Sequence, residues 1–162
     1  MITLAKLSDL DEIDQLSVLV IEDMKNSSIP QWTLSYPRKE HFKKDILQDA
    51  LIIVKDESMI LGCMAILEEN DPPYKTINSW IGENSIVLHR ILVHPTVRNK
   101  GVAKQMIDYS INYGKKHKYD SIKIDTHLEN YKMRAFLQKN GFVEGDYIEV
   151  MNRIAYEKML EE

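Results

Sequence analysis

The chain has 162 residues, with 44% apolar side chains, 28% charged side chains and a formal net charge of −4. A chain of that length can form one domain that hides roughly 70% of its unfolded surface without disulfide or metal staples. The mild acidity speaks against nucleic acid as a partner, no apolar run approaches the roughly 18 residues of a membrane span, and a lone cysteine, Cys63, fits a reducing cytoplasm better than secretion.

Residues 2–6 form a short apolar-rich start that reads as an edge strand, with no basic-then-apolar leader. Ser8 or Asp9 can cap a helix from about Leu10, and Asp11 and Glu12 suit its positive end. Ile13, Leu16, Leu19, Val20 and Met24 then recur at helical spacing. Residues 26–30 end that helix and open a loop through Pro37. A second helix follows, with Phe42, Ile46 and Leu47 on its buried face. Residues 51–55 are β-branched and read as a strand, 56–58 as a turn, and 60–67 as the partner strand of a hairpin. Cys63 lies in that apolar run, where a small buried hydrophobe suits the neighbours better than a catalytic thiol. Residues 68–84 form a long polar connection carrying Pro72, Pro73 and Trp80. Long loops in compact domains are often functional, so this one is a candidate substrate wall.

Residues 85–93 give the longest strand signal, and Pro95 stops it. Val102, Ala103, Met106, Ile107, Ser110 and Gly114 share one helical face that runs to about His117. Residues 121–126 alternate as a strand. Residues 130–140 read as a helix with Met133, Phe136 and Leu137 inward and Gly141 as its C-terminal cap. Residues 142–150 and 154–159 make two closing strands. The order is strand, two helices, three strands, helix, strand, helix, two strands. It predicts an α/β fold around one mixed sheet, with residues 1–162 as a single domain.

The stretch from Ile91 to Met106 carries the chemistry. A strand leads through His94 and Pro95 into Arg98-Asn99-Lys100-Gly101-Val102-Ala103, and then into a helix. Glycine at 101 lets the backbone approach a ligand and turn into the helix. The first amides of that helix have no intrahelical partner and its dipole makes the start positive, so together they suit a pyrophosphate. Arg98 and Lys100 add charge. The pattern differs from the Walker phosphate loop, which ends Gly-Lys-Ser/Thr, and from the dinucleotide fingerprint with its three spaced glycines.

Those six residues resemble the R/Q-x-x-G-x-G/A motif of the GNAT superfamily of N-acetyltransferases, preceded by a strand ending V-x-P, here Val93-His94-Pro95. The family's second signature is an asparagine-headed helix that ends in a Gly-Phe pair. Here it runs from Asn130 to Gly141-Phe142. Element order matches as well, so the resemblance spans the whole chain. It implies a GNAT fold, a mixed sheet of six to seven strands flanked by about four helices. It also implies an acetyl-CoA-dependent N-acetyltransferase that uses an amine acceptor and no metal, with a homodimer as the possible assembly. Segments 29–32 and 36–37, and Leu88-His89-Arg90, are similar to bacterial members with unassigned substrates.

By that resemblance the backbone of Ile91, Leu92 and Val93 holds the pantetheine arm, and the amides of Arg98, Asn99, Lys100, Gly101, Val102 and Ala103 hold the pyrophosphate. Lys104 stands beside them. Asn130 contacts the cofactor arm, and also suits a plain helix cap. The usual general acid, a tyrosine four residues before the Gly-Phe pair, is Leu137 here. Tyr131 and Tyr147 are the nearest alternatives in sequence. Three groups and a water chain compete to take the amine proton; the groups are Asp125, at a position where some members carry a glutamate; His89, with an imidazole suited to neutral pH; and His127, which can pair with Asp125. Trp32, Tyr36, Tyr74 and Trp80 are candidate acceptor walls, because aromatic faces attract amines. Arg90 either binds an acidic group of the acceptor or pairs with a glutamate.

Overall fold

The computed structural model describes residues 1–68 and 72–161; residues 69–71 of the long connection lie outside the described residues. Its seven-stranded sheet has the strand order β1-β2-β3-β4-β5-β7-β6. In chain order the elements are β1 (Ile2–Leu4), α1 (Leu10–Asn26), α2 (Lys39–Leu47), β2 (Leu51–Lys55), β3 (Ile60–Glu68), β4 (Ser85–Val93), α3 (Val102–Lys116), β5 (Ser121–His127), α4 (Tyr131–Lys139), β6 (Val143–Ile148) and β7 (Arg153–Met159). The chain divides into two compact units, 1–66 with 89–108, and 67–88 with 109–162, so the division falls within β4 and α3.

The first unit is built on the antiparallel ladder of β1, β2 and β3. Leu4 faces Ile52 across one pair of strands, and Ile53 faces Cys63 across the next. The turn after β2 is fixed by Asp56, whose Oδ1 accepts the amides of Ser58 and Met59. Against this ladder pack Ile13, Leu16 and Val20 of α1 and Phe42 and Ile46 of α2, together with Leu92 of β4. Met24 and Trp32 seal the edge of that core. The inward face of α1 is rotated from the periodicity reading. Leu19 is 41% exposed, whereas Leu10, Ser17 and Ile21 are buried. Ser17 enters the core because its hydroxyl donates to the carbonyl of Pro37 at 2.5 Å. Leu47 is 64% exposed because it lies about 100° around α2 from the buried Ile46, on the face turned away from the core.

In the second unit β4 runs parallel to β5 over Ser85–Val87 with Ser121–Lys123, and β7 pairs antiparallel with β5 along its whole length. The strand expected over 142–150 is shorter. It ends at Ile148, and a 3-10 turn (Glu149–Met151) followed by left-handed Asn152 returns the chain into β7. α4 closes as its sequence indicates: Gly141 has φ 88 and the amide of Phe142 reaches back to the carbonyl of Leu137 at 3.0 Å.

The described part of the long connection is pinned to the sheet. It contains a 3-10 turn (Pro72–Thr76) whose Tyr74 is fully buried. Glu157 of β7 accepts the amides of Ile81 and Gly82 at 2.8 and 2.9 Å and the hydroxyl of Ser121 at 2.6 Å. Asp146 accepts the amides of Asn78 and Ser79. The buried carboxylate of Glu157 takes three donors at once and is well satisfied, and the exposed Asp146 adds two more ties to this segment.

Candidate functional site

The turn expected to receive an anion lies in the first unit. After β4, the amide of His94 still pairs with the carbonyl of Leu61 at 2.8 Å, which fixes where the chain leaves the strand. Pro95–Val97 make one 3-10 turn, Arg98 is extended, Asn99 has φ 61 and Gly101 has φ 83 before α3 begins. Two left-handed residues this close together bend the chain sharply, and the amide of Lys100 turns back to the carbonyl of Val97 at 3.3 Å. Asparagine and glycine are the two residues that adopt the left-handed conformation most readily. A Cβ built on Gly101 meets nothing within 4 Å, so the space over this turn is open. The amide of Gln105 bonds to the carbonyl of Gly101 at 3.0 Å, which starts the helical ladder and leaves the preceding amides at the helix start.

The charges predicted around this turn are placed differently from one another. The guanidinium of Arg98 is engaged by Asp23 of α1, and the ammonium of Lys104 pairs with Asp108 at 2.9 Å, while Lys100 is exposed. The backbone, rather than these side chains, is therefore the constant part of the cradle. Gly62 sets the fit beneath it. A Cβ there would stand 2.7 Å from the carbonyl oxygen of Leu92 and 3.0 Å from Val102.

Arg90 resolves one of the sequence alternatives. Its Nε and Nη2 donate to the two oxygens of Asp45 on α2 at 2.6 and 2.7 Å, and its Nη1 donates to the hydroxyl of Tyr36 at 2.9 Å. The arginine pairs within its own chain, but with an aspartate and not the expected glutamate. Tyr36 stays on the surface at 37% exposure, edge-on to His41. Trp32 packs against the first core, and His89 is half-buried on β4. Cys63 is fully buried and burial pushes its thiol far up, so it has the character of a core residue and not of a nucleophile.

The second unit holds the remaining candidates. Ser121, Lys123, Asp125 and His127 alternate along β5 and form a polar face that is almost entirely enclosed. Asp125 accepts the hydroxyl of Tyr74 on one oxygen and Nη1 of Arg153 at 2.8 Å on the other; its side chain is 5% exposed. Trp80 lies 5.2 Å from the Tyr74 ring, donates its indole N–H to the carbonyl of Tyr74, and carries the ammonium of Lys123 at 5.0 Å over its own ring. The structure thus joins Trp80 to Asp125 through Tyr74. His127 lies elsewhere in the network: Nδ1 receives the amide of Glu129, and Nε2 stands 3.1 Å from Asn152. Asn130 caps α4 by accepting the amide of Met133 at 3.2 Å. Tyr131 is 69% exposed and stacks under Arg134. Tyr147 donates to Asn152, and Leu137 is fully buried. Sequence reading missed Asp45, Lys123 and Arg153. The visible signal was the polar alternation of β5, since a strand face that is both polar and buried must find partners for every group.

Residues 21–142 match the sequence profile of the acetyltransferase (GNAT) family. No curated protein matches the chain. Among solved structures, a GNAT-family acetyltransferase of Streptococcus agalactiae superposes with a TM-score of 0.88 at 23% identity, covering 100% of this chain and 96% of its own. A provisionally assigned acetyltransferase of Staphylococcus aureus Mu50 reaches 0.79 at 29% identity, covering 99% of both chains. The PaiA N-acetyltransferase of Thermoplasma acidophilum, solved in complex with coenzyme A, reaches 0.74 at 16% identity, covering 98% of both. The profile covers most of the chain and includes both the cradle and the asparagine-headed helix, and the chain belongs to the GNAT acetyltransferase family.

Proposed function

We propose that the protein transfers an acetyl group from acetyl-CoA to a primary amine of a small molecule or peptide by direct attack. The observation that carries this reading is the open turn at Asn99 and Gly101, with its two left-handed residues at the start of α3. The coenzyme A bound to the Thermoplasma relative supports the same ligand class. In this reading the amides of Arg98 to Ala103 hold the pyrophosphate with Lys104 at the rim, the backbone of Ile91, Leu92 and Val93 holds the pantetheine arm, and Asn130 contacts that arm while capping α4. The amine nitrogen attacks the thioester carbonyl, a C–N bond forms, and the C–S bond breaks to release the thiolate. A thiol of ordinary pKa near 8.5 leaves readily as its anion, so a leucine at position 137 does not prevent turnover.

A protonated amine cannot attack, and we assign the removal of its proton to His89. Asp125 serves instead as a strut, because both of its oxygens are engaged, one by a guanidinium. The outward ring of Tyr131 gives it no support as a catalyst. Tyr36 is the residue best suited to meet the acceptor, whereas Trp32 and Trp80 pack and Arg90 holds Asp45.

The buried leucine at 137 also favours a second reading, an acyl-CoA-binding sensor without turnover. A screen of primary amines for thiol release from acetyl-CoA decides between them. Turnover that falls about 100-fold or more in His89→Gln supports the enzyme with this base. Tight binding of acetyl-CoA with no thiol release for any amine supports the sensor.

A further inference from the structure

One residue inside β4 is left-handed without being glycine. Arg90 has φ 52. Ordinary side chains persist in that region only where their surroundings hold them. The holder is Asp45, 1% exposed on α2, which takes Nε and Nη2 of Arg90 at 2.6 and 2.7 Å in a two-point fork. Tyr36 adds a third tie at 2.9 Å, and the thiol of Cys63 lies 3.8 Å from the carbonyl oxygen of Arg90. Arg90 is therefore held through its side chain by Asp45 and Tyr36 and through its carbonyl oxygen by Cys63. The turn at residue 90 also changes the strand around it. Ser85 to Leu88 are all buried, whereas Ile91 and Val93 are half-buried on either side of the fully buried Leu92. The dihedral at 90 sets which way the amides and carbonyls of 91–93 face.

We propose that Asp45 is a positioning residue: by clamping Arg90 in its left-handed conformation, it orients the backbone of Ile91, Leu92 and Val93 to receive the pantetheine arm of acetyl-CoA. This rests on the acetyl-CoA reading given above. Asp45 touches no substrate, since its side chain is closed off beneath Arg90.

Two ligands separate positioning from simple stabilisation. Acetyl-CoA spans the strand and the cradle, whereas adenosine 3′,5′-bisphosphate reaches the cradle alone. Three variants are measured by calorimetry against both, each shown to be folded by its circular-dichroism melt. Asp45→Asn removes the charge from the clamp. Arg90→Lys keeps a charge beside Asp45 but cannot make the fork, so it reads the clamp even where Asp45→Asn fails to fold. In the double variant Asp45→Asn with Arg90→Gly, glycine adopts a positive φ unaided. The expected result is an acetyl-CoA Kd raised about tenfold in either single variant, equal to the loss of one or two aligned backbone hydrogen bonds. The bisphosphate affinity stays within about twofold. The double variant recovers acetyl-CoA binding. Equal loss of both ligands, unchanged acetyl-CoA binding in the single variants, or no recovery in the double variant each overturns the proposal. A wild-type protein that does not bind acetyl-CoA overturns the parent reading and this one with it.

Discussion

Asp125→Asn separates a strut from a base. In the strut role the carboxylate joins the Pro72–Thr76 turn to β7 through Tyr74 and Arg153. Removing one partner of a buried ion pair costs about 3–5 kcal/mol. Arg153 keeps 18% side-chain exposure and so regains some hydration, and asparagine keeps one acceptor oxygen. A loss of about 2–3 kcal/mol is then expected, which lowers Tm by about 4–12 °C in a domain of this size. Thermal melts followed by circular dichroism give the first number, and steady-state thiol release across pH gives the second. Turnover at 25 °C within about threefold of wild type, with an unmoved pH profile, is the expected outcome. A base assignment instead requires a fall of about 100-fold or more. Melting near the wild-type temperature combined with such a fall would refute the strut.

Three further outcomes follow from single contacts. Gly62→Ala places a methyl group 2.7 Å from the backbone oxygen of Leu92, which cannot swing aside, and overpacking of this kind costs about 1–3 kcal/mol; a melt at or above the wild-type Tm contradicts that packing. Cys63 resists iodoacetamide in the native protein and reacts on unfolding, because burial suppresses the thiolate; rapid native labelling, read by mass spectrometry, contradicts it. The fork from Arg38 to Asp14, 2.8 and 2.9 Å, lowers the Asp14 carboxyl below its ordinary 3.8. Its contribution is present above that pKa and is lost as pH falls through the depressed folded value. Asp14→Asn therefore melts below wild type at pH 7, and the difference closes under strongly acidic conditions; a difference that grows with acid contradicts the assignment.

What the sequence revealed depended on how locally each feature is specified. The turn into α3 was legible because Gly101 and the helix behind it are adjacent in the chain, whereas the left-handed Asn99 before it was not read. The cap at Asn130 and the turn at Gly141 were legible for the same reason. The fate of Arg90 was half-legible: the sequence offers it as a cation in a strand, but Asp45 comes from another element, and no residue type at 90 announces a positive φ. Asp125 beside His127 suggested a pair, yet Tyr74 and Arg153, 51 and 28 residues away, take the carboxylate. Periodicity placed Leu19 inward because it counts apolar residues alone, whereas the helix turns to bury Ser17, whose hydroxyl has a carbonyl to meet.

The proposed cradle is tested most directly by calorimetric titration of acetyl-CoA into the wild-type protein and Gly101→Glu. At φ 83 a side chain strains the turn, and the glutamate enters the open space where a pyrophosphate would lie. Acetyl-CoA is expected to bind the wild type with a Kd in the micromolar range and the folded variant not at all. A folded wild type that gives no heat, or a variant that binds equally well, contradicts the placement of acetyl-CoA at residues 98–103.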